Sequence, residues 1–242
     1  MKAEKIKYPM GSLTAEGALV YEEKIPGKRP AVLMAPNWMG ITEQAIERAK
    51  LVAGDRYVVF VADMYGEAAR PGDFGAAAAL ANPLRENAVE QRKRIRAAYD
   101  AMIAEASKRN LIDGRRAAVG FCFGGGNVLE LARDGADIAA AVSIHGDLKT
   151  AQAAKKGAVK AALLVTHGAP DPVAPKADRD AFESEMDAAG ARWQMLTFSG
   201  VYHAYTDQGS DVPGVAGWHE PACRQTYTLT HQFIADAFAG RL

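Results

Sequence analysis

Residues 119–127 read VGFCFGGGN, and the fold turns on them. The apolar, strand-like run from Arg116 to Phe121 breaks into glycines, a lone cysteine sits at the break, and helix-like sequence follows from Asn127 to Arg133. A tight strand-to-helix turn that thrusts one side chain outward needs residues without bulk two places to either side of it, and Gly120 and Gly124 supply them around Cys122. A sulfur at the start of a helix meets unpaired N–H groups and the positive end of the helix dipole, which favour the thiolate. The plainer reading is a glycine-rich turn around a small buried cysteine, or a phosphate cradle. What separates the readings is whether a base and an orienting acid exist elsewhere.

Outward from this turn the chain alternates strand and helix. Lys5 to Met10 and Gly17 to Lys24 alternate around Gly11-Ser12 and read as an antiparallel opening pair. The segments Pro30-Ala31-Val32-Leu33-Met34-Ala35-Pro36 and Tyr57-Val58-Val59-Phe60-Val61-Ala62-Asp63 are apolar without alternation, the mark of strands covered on both faces. Between them Thr42 to Ala53 reads as a helix with Thr42 at its N-cap. A long helix is expected over Arg85 to Arg109, where Val89, Ile95, Tyr99 and Met102 recur at helical intervals. The Ala/Gly-rich stretch from Gly66 to Pro83 reads as a loop with a short helix. Strands at Ile138–Ile144, Ala161–Thr166 and Trp193–Phe198 alternate with helices at Lys176–Ala189 and Glu220–Phe238. Repeated βα units imply an α/β fold with a doubly wound, mostly parallel sheet, and the absence of a linker or repeat implies one domain over residues 1–242.

The acid and base are present in the order nucleophile, acid, histidine. Asp171 lies in Thr166-His167-Gly168-Ala169-Pro170-Asp171-Pro172, just past a strand and stiffened by prolines on both sides. His203 follows the last strand in Ser199-Gly200-Val201-Tyr202-His203. Both therefore emerge at the carboxyl edge of the sheet, where Cys122 does, and a Cys-His-Asp triad is expected. Without its partners either residue reads equally well as a turn or loop residue. A non-catalytic, ligand-binding or redox-sensing chain with Cys122 as an oxidisable thiol would need neither, and no serine occupies an equivalent turn to serve a serine esterase. His145 follows the Ile138–Ile144 strand and is a candidate pocket residue, with Tyr65, Phe74, Tyr202, Tyr205 and Trp218 from segments after strand ends.

Composition narrows the setting. The chain has 242 residues, 29 basic against 29 acidic, and 49% hydrophobic residues. No basic excess invites nucleic acid or an anionic membrane, and the run Arg92-Lys93-Arg94-Ile95-Arg96 reads as a solvated helix face. No apolar run suits a membrane helix and the opening MKAEKIKYPM lacks the apolar centre of a signal peptide, so a cytoplasmic protein is expected. Cys122 and Cys223 fit neither a disulfide framework nor a zinc site, the histidines have no ligand spacing, and Cys223 reads as packing. No metal and no cofactor are expected.

With these residues in hand, the chain resembles the dienelactone hydrolase family, whose turn reads G-x-C-x-G-G, over nearly its whole length. The resemblance implies an α/β-hydrolase fold without a large cap domain, a small-molecule ester or lactone as substrate, Cys122 as nucleophile, His203 as base and Asp171 as orienting acid. It also implies that the loop Pro36-Asn37-Trp38-Met39-Gly40 carries the second oxyanion donor, so that the backbone N–H groups of Trp38 and Phe123 receive the tetrahedral oxyanion. Two positions depart from the family pattern. A glutamate that faces the resting cysteine is replaced by Asn37, and an arginine four residues beyond the histidine is replaced by Asp207. Neutral, partly apolar acyl groups are therefore the expected preference, with Arg70 and Arg85 the cations near the pocket mouth. Asn37 is expected to face the sulfur.

Overall fold

A computed structural model describes residues 1–242. Eight strands form one sheet: β1 (Lys2–Met10), β2 (Leu13–Tyr21), β3 (Arg29–Ala35), β4 (Val58–Val61), β5 (Ile112–Phe121), β6 (Ala140–Ile144), β7 (Ala162–Gly168) and β8 (Arg192–Phe198). Their order is β1-β2-β4-β3-β5-β6-β7-β8. The opening pair is antiparallel, as its alternation predicts, and β2 joins β4 antiparallel. All other pairings are parallel. Along β1 the side chains Ile6, Tyr8 and Met10 point into the core while Lys5 and Lys7 reach Glu16 and Glu67 outside, which explains the period of two.

The central strands lack that alternation because both faces are covered. In β3, Ala31, Leu33 and Ala35 pack on one side and Val32 and Met34 on the other. The first side holds α2 (Phe74–Arg85), α3 (Ala88–Lys108), α4 (Phe123–Arg133) and α5 (Lys176–Ala189); the second holds α1 (Glu43–Ala53) and α6 (Glu220–Phe238). No cap domain interrupts this architecture, which is that of the α/β hydrolases. No helix is long and apolar enough to cross a membrane.

Three expectations are corrected. The long helix starts three residues later than expected: Arg85 is the last residue of α2, and Asn87 starts α3 by accepting the Glu90 N–H on its side chain at 3.1 Å. The Ala/Gly-rich stretch accordingly holds a full helix, with Asp73 capping it through the Ala76 N–H at 2.8 Å. Helix α4 begins at Phe123 rather than Asn127, so the glycines are its first turn and not a loop before it. They are there for clearance: a Cβ on Gly124 would stand 2.1 Å from the Ala35 carbonyl oxygen, and one on Gly120 2.0 Å from that of Gly124. The tail after His203 adds a small antiparallel pair, β9 (Asp211–Val212) and β10 (Ala216–Gly217).

Candidate active site

Cys122 occupies the turn between β5 and α4 with φ 55° and ψ −123°, a left-handed backbone that a residue with a Cβ adopts only when its surroundings enforce it. The enforcement is visible. Its N–H donates to the Ile144 carbonyl at 3.0 Å, while its own carbonyl accepts the N–H groups of Gly125 at 2.8 Å and Asp147 at 3.3 Å. Cys122 is 8% exposed, and no side chain caps α4, so the N–H groups of Phe123 and Gly124 at its start have no intrahelical acceptor.

Asp171 follows β7 and is buried. One carboxylate oxygen accepts the Val173 and Ala174 N–H groups, at 2.8 and 3.3 Å; the other lies 2.9 Å from His203 Nδ1 and 3.5 Å from His167 Nδ1. Burial alone would raise the Asp171 pKa, but the adjacent His167 ring and the hydrogen-bonded His203 outweigh it and hold the carboxyl far below the usual carboxylate range. His203 is likewise buried, which opposes its charged form, yet the negative charge of an ionised Cys122 and the Asp171 carboxylate keep its pKa well above the ordinary histidine value. Its Nε2 has no partner in hydrogen-bonding geometry, although the Cys122 sulfur is near enough to set the ring's electrostatics. The backbone of His203 is clamped by the tail: its N–H donates to Val215 C=O at 3.1 Å and its C=O accepts Gly217 N–H at 3.0 Å. The segment from Tyr205 to Trp218 thus carries the histidine.

The turn after β3 is ordered around Asn37. Its side-chain oxygen accepts the Met39 N–H at 3.1 Å and its carbonyl the Gly40 N–H at 2.9 Å, so Trp38 projects from a closed turn. The Trp38 carbonyl accepts the Tyr65 hydroxyl at 2.8 Å, and the Trp38 N–H donates to no protein acceptor. Tyr65 in turn stacks on Phe123 at 5.9 Å, and Trp38 on the exposed Phe74 at 5.5 Å, which makes one aromatic wall beside Cys122. Tyr202 is exposed and Trp218 half-buried.

Other expected pocket residues lie deeper. His145 and Tyr205 have no exposed surface. The Tyr205 hydroxyl donates to Thr166 Oγ1 at 2.8 Å and its ring stands 5.2 Å from His145, whose ring in turn is 5.1 Å from His203. They support the base from behind and line no open pocket. Asn37 does not reach toward the sulfur as expected; its Nδ2 donates to Asp207 Oδ2 at 3.1 Å. Arg70 is spent on the Gly66, Ala69 and Glu16 carbonyls and on Asp63. Arg85, from the last turn of α2, lies 5.2 Å over the Phe123 ring and donates to Asp147 at 2.7 Å. His167, not among the expected site residues, is the second histidine against Asp171; its position four residues before the aspartate is the only signal in the sequence.

The model of the dienelactone hydrolase family matches residues 17–238. Among curated proteins no sequence matches the chain. The structure designated m3DLH is 30% identical, with 98% of each chain covered and a TM-score of 0.90. A dienelactone hydrolase-like promiscuous phosphotriesterase, P91, from metagenomic libraries is also 30% identical over 98% of each chain, with a TM-score of 0.89. The dienelactone hydrolase of Anabaena variabilis, at 15% identity, 97% coverage of each chain and a TM-score of 0.69, shares the fold. The chain belongs to the dienelactone hydrolase family of α/β hydrolases, enzymes that hydrolyse ester bonds.

Proposed function

We propose that the protein hydrolyses carboxylic esters or lactones of small molecules through an acyl-cysteine intermediate, with Cys122, His203 and Asp171 as the triad. The observation that carries the proposal is the buried His203–Asp171 pair at 2.9 Å, whose remaining nitrogen is unpartnered while Cys122 stands at the start of α4. Asp171 accepts a hydrogen bond from Nδ1–H and so leaves Nε2 as the working nitrogen. The Cys122 thiol gives its proton to His203 Nε2 and its Sγ attacks the ester carbonyl carbon; a C–S bond forms, and the carbonyl electrons move to an oxyanion that the Trp38 and Phe123 N–H groups receive. Collapse breaks the C–O bond to the alcohol, which leaves with the Nε2 proton. His203 then takes a proton from water as it attacks the thioester, and a second collapse releases the acid and frees the sulfur.

Neutral substrates are preferred on this reading. The aromatic wall of Tyr65, Phe123, Trp38 and Phe74 offers apolar contact, the one cation beside Cys122, Arg85, is already paired with Asp147, and Asp207 stands where the family pattern has an arginine. The reading implies an intracellular enzyme of one domain, without metal or cofactor. The test is turnover of p-nitrophenyl esters with neutral and carboxylate-bearing acyl groups, set beside a dialkyl aryl phosphate because P91 is named a phosphotriesterase. Wild-type protein should burst and turn over the neutral carboxylic esters, and Cys122→Ala should be folded and lose at least about 10³-fold in kcat. A folded Cys122→Ala that keeps most of its kcat removes the nucleophile assignment. Faster turnover of the phosphate than of every carboxylic ester would reverse the substrate class.

A further inference from the structure

Asn37 and Asp207, 170 residues apart in the chain, touch each other. Asn37 Nδ2 donates to one oxygen of Asp207, and Arg48 of α1 donates to the other at 2.7 Å. Thr206 Oγ1 also donates to that second oxygen, at 3.3 Å, and is hydrogen-bonded with His145 Nε2 at 2.7 Å. The Asn37 amide has one orientation that satisfies both of its neighbours, nitrogen to the Asp207 carboxylate and oxygen to the Met39 N–H. Arg48 is itself buried, donates to the Thr206 carbonyl at 3.5 Å, and lies 4.5 Å over the ring of Phe121, the residue before Cys122.

These contacts join three pieces of backbone. Asn37 folds the turn that presents the Trp38 N–H; Asp207 closes the turn after His203, its N–H donating to the Ala204 carbonyl at 2.9 Å; Arg48 spans from that turn to the end of β5. A charge-assisted hydrogen bond between partly buried groups is strong enough to fix such a register. We infer that Asn37, Asp207 and Arg48 are positioning residues that latch the Trp38 turn to the His203 turn, and so hold the second oxyanion donor at its distance from the nucleophile. The inference rests on the acyl-cysteine reading. It predicts that the residues at 37 and 207 are exchangeable only as a hydrogen-bonding pair. A glutamate at 37 would set one carboxylate against another.

The test uses Cys223→Ala protein, so that one thiol is counted, and two readouts: kcat on a neutral p-nitrophenyl ester, and the rate of Cys122 alkylation by iodoacetamide. Displacement of iodide uses the thiolate but builds no oxyanion. Asn37→Ser keeps a side-chain oxygen for the Met39 N–H and adds no charge, but cannot span to Asp207. Its kcat should fall about 10- to 100-fold with KM little changed, while alkylation stays within about twofold. Asn37→Asp keeps the turn and opposes Asp207, and should lose more; the exchange Asn37→Asp with Asp207→Asn restores one N–H···O contact and should regain at least about fivefold over Asn37→Asp alone. Wild-type kcat in Asn37→Ser, equal falls in both readouts, or no recovery in the exchanged pair would each overturn the latch while leaving the hydrolase intact. No ester turnover by the unsubstituted Cys223→Ala protein would overturn the hydrolase reading, and the latch with it.

Discussion

Cys122 and Gly124 set the geometry of the site between them. The cysteine pays for its left-handed backbone, a strain of about 1–3 kcal/mol, and the turn survives because α4 can press its first residues against the end of β3. Gly124 permits that approach. A methyl group there would meet the Ala35 oxygen at 2.1 Å and the Pro36 oxygen at 2.4 Å, both backbone and neither free to swing aside. Gly124→Ala should therefore cost about 3 kcal/mol in urea unfolding and abolish ester turnover, because the displaced backbone is the one leading into Asn37 and Trp38. Gly72→Ala, with nothing within 4 Å of its Cβ and no left-handed φ, serves as the comparison and should match wild type. Equal stability of the two variants would mean that α4 does not pack as closely as described. At this scale the sequence was informative, since the spacing of Gly120, Cys122 and Gly124 admits few backbones. The contact between Asn37 and Asp207 could not be read there, since nothing in the composition of either loop announces that the other will fold beside it.

Among the elements, the break between α2 and α3 shows how a period of 3.6 can conceal a boundary. Val89, Ile95, Tyr99 and Met102 set a helical period but not its first residue, so periodicity alone runs α3 back into Arg85, the last residue of α2. Local chemistry separates them: Pro83 lies in the last turn of α2, and Asn87 with Glu90 three residues later is an N-cap signal. The consequence reaches the site, because ending α2 at Arg85 leaves that guanidinium over Phe123 and against Asp147. Asn87→Ala removes the side-chain acceptor of the Glu90 N–H and should destabilise the protein by about 1 kcal/mol, which for a chain of this size lowers Tm by roughly 2–4 °C, with kcat unchanged. A Tm within 0.5 °C of wild type would show that the cap is satisfied by water at no cost. Where strands are concerned, burial on both faces was legible as unbroken apolar runs, whereas the pair β9–β10 was not, because two-residue strands have no period.

For the whole molecule, the site collects residues from β5, β7 and β8 and bears them on a layer of buried histidines whose titration couples activity to global stability. His145 is wholly enclosed, and burial, aided by the neighbouring His203 and Arg48 and opposed by Asp207, pushes its pKa down to about 3. In the unfolded chain it returns to about 6.5. Below about pH 6.5 the unfolded state therefore binds a proton that the folded state refuses, and stability contributed by a neutral His145 falls as the pH drops from about 6.5 toward 3. His203 has the opposite sign, its raised pKa stabilising the fold at low pH and losing that contribution as the pH rises through its folded value, while the depressed Asp171 contributes above the unfolded carboxylate value and loses it only in strong acid. A difference between two proteins isolates the His145 part. His145 has φ 38°, which asparagine tolerates better than other side chains, so His145→Asn removes the titrating ring without demanding a new backbone. Whatever the offset at pH 7, the unfolding free energy of wild type relative to His145→Asn should decline by about 2 kcal/mol between pH 7 and pH 5, read from urea titrations at each pH. Parallel curves over that interval would mean that His145 takes up its proton inside the fold, with Asp207 and Thr206 sharing the charge, and that the layer beneath His203 is ionic rather than neutral.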